Sequence, residues 1–546
     1  MKQAQTRYAQ WVANVTDKAI AAELADMAGD EKRIVEAFGK ELTFGTGGLR
    51  GILGAGSNRM NVYTVAKATG GLAQYLLSRY ATPIRVAIGY DSRIQSDVFS
   101  KTAAAVLQRY GICVYRYDEL MPTPCLSYAV RQLRCQAGIM ITASHNPAAY
   151  NGYKVYGEDG CQITDKAAAA ITAFIEKADP FEEMTAAVTD AQSVGEEVYR
   201  SYLEQIRTIS CFSTARDLRI VYTPLNGTGR KPVTDALRLC GFTDVTVVPE
   251  QEMPDGRFPT CPYPNPEEPA ALACGIACAQ ANNADIVLAT DPDCDRVGIA
   301  VRDRHGEYRL LTGNETGLLL LEYVCEKRIQ NGTMPARPLC VKTIVTTSLA
   351  QRVAERYGVE TVNVLTGFKY IGEQIGRLEL SGETERYLFG FEESYGYLSG
   401  THVRDKDGVN AAVLIADMAA FYKSRGETLT DRLEQLYATY GYCLNVLHTY
   451  QFEGVEGQQT MRDLLCRLRQ TPCPDGVTVT DYVNGVAQLP KSDVLQFDGD
   501  RFTVVVRPSG TEPKLKLYTS VTADNDKAAQ LREREIVTAF ERIFHG

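Results

Sequence analysis

The 546 residues are too many for one hydrophobic core, and at roughly 150 residues per domain they divide into about three or four. With 45% hydrophobic and 23% charged residues, the composition is that of an ordinary soluble globular protein. A net charge of −9 argues against a large nucleic-acid footprint, which needs Lys and Arg massed on one face, but leaves room for a local cationic pocket that binds an anionic small molecule.

The opening MKQAQTRYAQWVANV lacks the apolar core of a signal peptide, and the apolar run Leu318 to Leu321 is cut by Glu322, so no membrane span is expected. The 15 cysteines are scattered, with no CxxC pair. Cys274 and Cys278 fall one helical turn apart without a neighbouring His or Cys motif, which is weak grounds for a metal site. Most of the cysteines are expected to be small buried residues in a reducing, cytoplasmic compartment.

The first forty or so residues interleave Glu and Lys with Ala, Leu and Ile, the pattern of helices. Strand-like runs follow, each leading into a polar turn and a helical stretch. IRVAIG (84–89) leads into YDSR, GIMIT (138–142) into ASHNP, and LRIVY (218–222) into TPLNGTG. DIVLAT (285–290) leads into DPDCDR, LCVKTIV (339–345) into TTS, and YLFGF (387–391) into EES. This alternation predicts three similar α/β domains with parallel or mixed sheets, although no close sequence repeat is visible. The tail differs: RFTVVV and KLKLYTSV flank the turn RPSGTEP before a charged helix, which predicts a smaller α+β domain. The expected divisions are 1–205, 206–310, 311–440 and 441–546. The Pro-rich segment 254–269 is expected to be a long loop in the second unit.

Several turns carry chemistry. In TASHNP, Ser144 follows a buried strand, where open α/β sheets place their ligands, with His145 beside it. Taken alone, a capping serine is the commoner reading. There is no GxSxG elbow, so a hydrolase triad is unsupported. DPDCDR places Asp291, Asp293 and Asp295 at alternate positions, and in an extended segment these would point the same way and offer hard oxygen ligands to Mg²⁺. An EF-hand is excluded, because Arg296 and Arg302 occupy the places of its Gly and Glu. No neutralising cation is evident nearby in sequence. RPSGTEP offers Arg507, Ser509, Gly510 and Thr511, the equipment of a phosphate cradle, though a plain β-turn fits equally well. TGFKY (366–370) and GFEESYGY (390–397) place Gly367, Lys369, Glu392 and Ser394 at strand ends. VRDKDG (403–408) would ordinarily be an exposed charged turn.

In this order, from FGTGGLRG at Phe44 to RPSGTEPKLKLY ending at Tyr518, these segments resemble the α-D-phosphohexomutase superfamily. The helical leader, TGFKY and VRDKDG further resemble its phosphoglucomutase-2-like branch, whose members include phosphoglucomutases, phosphomannomutases and phosphopentomutases. The resemblance implies four domains around a central cleft, with Ser144 as a phosphoserine. It implies that Asp291, Asp293 and Asp295, with an oxygen on Ser144, are the Mg²⁺ ligands. Lys154 and His145 match acid/base and phosphate-neutralising groups, and Arg50 and Arg296 line the same centre. Glu392 and Ser394 match the pair that grips sugar hydroxyls. Arg507, Ser509, Gly510 and Thr511 match the loop that holds the non-reacting phosphate, with Lys369 and Gly367 in support. The implied reaction interconverts sugar 1-phosphate and 6-phosphate, most readily of glucose, by way of a sugar 1,6-bisphosphate that also primes the enzyme. Cys294 departs from the family's usual Ala or Gly, and FEESYGY from the GEMSGH of the bacterial phosphomannomutase branch, which leaves the sugar open. A sugar-bisphosphate synthase and, from another class, a metal-dependent phosphatase are the alternatives.

Overall fold

The computed structural model describes residues 1–45, 47–185, 191–452, 454–487, 489–509 and 514–545. The leader forms helices Lys2–Asn14, Lys18–Asp26 and Glu31–Phe38. Asp17 and Asp30 cap the second and third by accepting the N–H of Ile20 and Arg33. Trp11 packs edge-on against Phe38, Tyr63 and Phe181, which seats the leader on the core of the first domain.

Four sheets follow. The first runs in the order Gly48–Ile52, Tyr150–Gly157, Ala137–Ile141, Arg85–Tyr90, Cys113–Arg116, Gln192–Ser193. Its four last-named strands are parallel and the first two pair antiparallel. The second runs Tyr308–Leu311, Val297–Arg302, Ile286–Thr290, Ile220–Thr223, Val245–Val247. The third runs Glu360–Val364, Leu339–Thr343, Tyr387–Glu392, Gly396–Ser399. The fourth is antiparallel throughout, in the order Tyr442–Gln451, Lys514–Ala523, Phe502–Pro508, Leu495–Gly499, Thr478–Asp481, and its domain carries helices Gly454–Gln470 and Asp526–His545. The chain thus forms three mixed α/β domains and a smaller α+β domain, as the alternation of patterns predicts.

The three α/β sheets share a device that the sequence does not reveal. In each, a fully buried parallel strand ends in a short loop and returns antiparallel to itself: 137–141 to 150–157, 286–290 to 297–302, and 387–392 to 396–399. Each loop turns through a non-glycine residue of positive φ, namely Ser144 (51°), Cys294 (51°) and Tyr395 (64°). Such residues are uncommon and mark tight, over-determined turns.

One apolar core runs through parts of all three α/β domains, and a second fills the first domain beneath the leader. The C-terminal domain has its own core between sheet and helices. It meets the third domain through a small apolar contact that includes Ile344, Val345, Leu365, Tyr482, Val505 and Tyr518.

Candidate active site

The loops of the first two hairpins meet. The Ser144 hydroxyl donates to Asp291 Oδ2 at 2.8 Å and lies 3.1 Å from His145 Nδ1. Its backbone N–H donates to Thr142 Oγ1. The loop is pinned from beneath by Arg93, a residue of the YDSR turn. The Arg93 guanidinium donates to the carbonyls of Ser144 (2.6 Å), Asn146, Pro147 (3.0 Å) and Tyr150 (3.0 Å), and its charge is met by fully buried Asp91 at 3.4 Å. Arg50 donates to Asn146 Oδ1 at 3.2 Å, on the same loop.

The aspartates converge, but not by strand alternation. Residues 291–296 form a compact turn, with Cys294 left-handed and facing the interior, and Asp291 Oδ1 accepts the N–H groups of Asp295 and Arg296. The turn is braced from every side: Thr123 of the first domain donates to Asp293 through N–H and hydroxyl, Thr228 of the second donates to Pro292 O, and Gly408 of the third donates to Cys294 O. One carboxylate oxygen from each aspartate lies within 4.8 Å of the others. Asp293 Oδ1 and Asp295 Oδ1 are buried without a hydrogen-bond partner. Enclosed, unsatisfied hard oxygens of this kind fit a small divalent cation.

Nor are these carboxylates without neutralisers. Lys154 Nζ lies 2.8 Å from Asp293 and 3.7 Å from Asp295, and Lys406 Nζ lies 3.0 Å from Asp295. Lys406 belongs to VRDKDG, expected as an exposed turn and found inside: Arg404, Asp405 and Asp407 are all buried. Asp407 caps helix Gly408–Ser424 and accepts from Tyr202, which draws the segment into the core. Burial and the two neighbouring aspartates push Asp291 well above the ordinary carboxylate range. Burial alone would raise Asp293 too, but Lys154 holds it low. Burial opposes the charge on Lys154, yet Asp293 and Asp295 keep it protonated. Burial, Arg296 and Arg50 depress His145 well below its usual value, so the ring is neutral.

The third hairpin supplies Glu392, buried at the end of its strand and raised by burial against the pull of Lys406 and Arg296, with Ser394 two residues further on. Its neighbour Glu393, raised to about 7 by burial and the Glu392 charge, accepts from the hydroxyls of Thr343 and Thr346. Arg296 pairs with Glu267 of the Pro-rich loop and approaches Asp295 at 3.9 Å. Gly367, at φ 120°, precedes helix Phe368–Ser381, so Lys369 stands in a first helical turn rather than at a strand end, and its Nζ pairs with Asp165 of the first domain at 2.7 Å.

From the C-terminal sheet comes Arg507. Its Nε is buried without an acceptor, and its only side-chain hydrogen bond among the described residues is a long one to Tyr518 OH at 3.5 Å. Directly opposite on the next strand stands Lys516, whose charge is disfavoured by burial and by Arg507. Like charges facing each other across a ladder are destabilising unless an anion bridges them. Ser509 N–H donates to Lys514 O. Gly510 and Thr511 lie outside the described residues.

Sequence reasoning missed Arg93, Thr123, Lys406 and Lys516. Arg93 sits in a segment singled out only as a turn; VRDKDG carries part of the family resemblance, but nothing in spacing ties Lys406 to Asp295. For Lys516 a signal existed, since it alternates with Lys514 on a strand following Arg507.

Four family models match in order: phosphoglucomutase/phosphomannomutase alpha/beta/alpha domain I over residues 41–182, domain II over 199–306, domain III over 312–440, and the C-terminal domain over 470–537. Phosphoglucomutase of Staphylococcus aureus strain MRSA252 is 37% identical over 543 residues, covering 95% of this chain and 96% of that protein. Among solved structures, a putative phosphomannomutase of Thermus thermophilus superposes with a TM-score of 0.68 at 23% identity, covering 92% of this chain and 99% of the other. N-acetylphosphoglucosamine mutase of Aspergillus fumigatus, solved with GlcNAc-6P and magnesium, gives 0.52 at 14% identity, covering 97% and 99%. With its domain models in sequence and a relative matched end to end, the chain belongs to the phosphoglucomutase/phosphomannomutase family and is a phosphosugar mutase, an isomerase that moves a phosphoryl group.

Proposed function

We propose that this enzyme interconverts glucose 1-phosphate and glucose 6-phosphate in the cytoplasm, using Ser144 as phosphoryl carrier and glucose 1,6-bisphosphate as intermediate and primer. The observation that carries this reading is the contact of the Ser144 hydroxyl, 2.8 Å from Asp291, with a cluster of three buried carboxylates. Arg507 and Lys516, on a separate domain, stand unpaired by any carboxylate among the described residues. A phosphatase needs only the first of these centres; a mutase needs both.

Mg²⁺ is the expected ion at Asp291, Asp293 and Asp295, where it would supply charge to the phosphoryl group on Ser144. Phosphoryl transfer is otherwise positioning and charge neutralisation. Arg93 holds the Ser144 loop in its turn. The bond that breaks is Ser144 Oγ–P, with Oγ taking up a proton, and the one that forms joins phosphorus to a sugar oxygen, whose hydroxyl gives up its proton. Neutral His145, within reach of Ser144 Oγ, can accept the hydroxyl proton when the serine is phosphorylated again, and Lys154 offers positive charge. Glu392 and Ser394 face the sugar hydroxyls, while Arg507, Ser509, Gly510 and Thr511 hold the phosphate that is not reacting. Lys369 and Gly367, on the third domain, support that phosphate site. After the first transfer the bisphosphate turns end for end and returns its other phosphate to Ser144.

Incubation with glucose 1,6-bisphosphate should add one phosphoryl group by intact mass, absent from Ser144→Ala, and the variant should lose mutase activity. Labelling elsewhere, with an active Ser144→Ala, would falsify the assignment. Parallel assays with the 1-phosphates of glucose, mannose and ribose decide the sugar, and release of inorganic phosphate without isomerised product would identify a phosphatase.

A further inference from the structure

Between the third sheet and the C-terminal domain lies a cavity of about 160 Å³, well above what a single water needs. Its wall is dominated by neutral hydrogen-bonding groups, among them Ser348, Asn363, Gln496, Thr503 and Ser520. One cation lines it. Lys342, only 4% exposed, comes from strand Leu339–Thr343 of the third sheet. Its Nζ donates to Thr346 O at 3.1 Å and Thr343 O at 3.4 Å, and it meets no carboxylate in an ion pair among the described residues.

The nearby acids, Asp498 and Glu393, favour the Lys342 charge without forming an ion pair with it, and both hold hydrogen bonds of their own. Asp498, the one carboxylate on the wall, accepts from Gln496 Nε2 and Thr503 Oγ1, both at 2.8 Å. Glu393 accepts from the hydroxyls of Thr343 and Thr346. A buried ammonium without a direct ion pair is costly, and in folded proteins such a group is ordinarily paired. Here the polar wall has room for the missing partner, and exposed Asn363 stands at the rim where it would enter.

We propose that this cavity binds a small tetrahedral oxyanion such as inorganic phosphate, with Lys342 as its charge partner. Ser348 belongs to the third domain and Gln496, Thr503 and Ser520 to the C-terminal domain, so the bound anion ties the two together. Burial lowers Lys342 to about 8, the response of an amine left without such a partner. Tyr518, which accepts from Arg507, also lines the cavity, so this site adjoins the Arg507 site, but Lys342 takes no part in the reaction assigned to Ser144 and Arg507.

The test is thermal unfolding of the full chain against sodium phosphate, sodium sulfate and sodium chloride at matched ionic strength, for wild type, Lys342→Met and Asn363→Asp. Phosphate and sulfate should raise the wild-type Tm to a plateau, and chloride should not. Both variants should lose the increment due to this cavity, and any shift left in them measures the active centre. Without added anion, Lys342→Met should be at least as stable as wild type, because it removes a buried charge that has no direct ion pair. Asn363→Asp repels an entering anion while leaving Lys342 in place, so it decides the matter even if Lys342→Met fails to fold. Variants that follow the wild-type curve, or chloride that reproduces it, overturn the proposal.

Discussion

The Ser144 centre and the Arg507 site solve the same problem, holding a phosphate, in opposite ways. Around Ser144 most charges have an internal answer: Lys154 and Lys406 meet Asp293 and Asp295, Asp91 meets Arg93, and Glu267 meets Arg296, leaving the inward carboxylate oxygens for a cation. The braces come from three domains and the turns are locked in left-handed conformations. On the C-terminal sheet, by contrast, Arg507 has no carboxylate partner among the described residues and faces another cation, Lys516. The first centre is organised before substrate arrives. The second is incomplete without an anion. A bisphosphate that must turn over in the cleft needs both: one rigid place for chemistry, where misplacement is costly, and one that is completed only by the ligand.

The largest effects should fall on the organised centre. Asp293→Asn removes a ligand charge and the strongest partner of Lys154, so kcat should drop by orders of magnitude in a coupled mutase assay, and excess chelator should abolish wild-type turnover until Mg²⁺ is restored. Full activity in chelator would sink the metal assignment.

A smaller loss, of a different kind, is expected from Arg507→Ala. One charge-assisted hydrogen bond is worth roughly 1.5–3 kcal/mol, or about 10- to 150-fold in kcat/KM. If the grip is equal in ground and transition states the loss appears in KM. Ser144 should still accept a phosphoryl group by intact mass, and activity should decay faster without added bisphosphate, because the intermediate escapes. Unchanged KM, kcat and bisphosphate dependence would remove the second phosphate site from the mechanism.

Lys516→Met should follow in the same direction at about tenfold, since a single point charge is lost. It should also make the free protein slightly more stable, by relieving the repulsion from Arg507. Weaker substrate binding with greater stability would separate a ligand-completed site from a structural one; a drop in both would show that Lys516 is structural.

The smallest effect concerns Glu393. Its folded pKa of about 7 lies above the ordinary glutamate value, so its contribution is fully present at pH below the unfolded pKa and is lost as pH rises towards about 7. Glu393→Gln, which cannot ionise, should therefore gain stability relative to wild type between pH 5 and 8. Tm measured at both values checks the sign, and a gap that narrows with rising pH contradicts it.

Much of this protein is legible in its sequence because the signals are local. Apolar runs such as IRVAIG and DIVLAT place the buried strands, and turn residues after them place Ser144, Asp291, Glu392 and Arg507 at sheet edges. What sequence could not reveal is which edges meet. The Asp291–Asp295 turn curls around a left-handed Cys294 and does not extend, because bracing from Thr123, Thr228 and Gly408 favours a conformation that local preference would not select. VRDKDG looks like a solvated turn by composition. It is buried because Asp407 caps a core helix and Lys406 finds Asp295, a partner far away in the chain. The same holds for Arg93 beneath Ser144 and for Lys342 beside its cavity. Hydrophobic periodicity is set by neighbours along the chain and survives in sequence. The pairing of buried charges is set by neighbours in space, and only packing the domains together decides it.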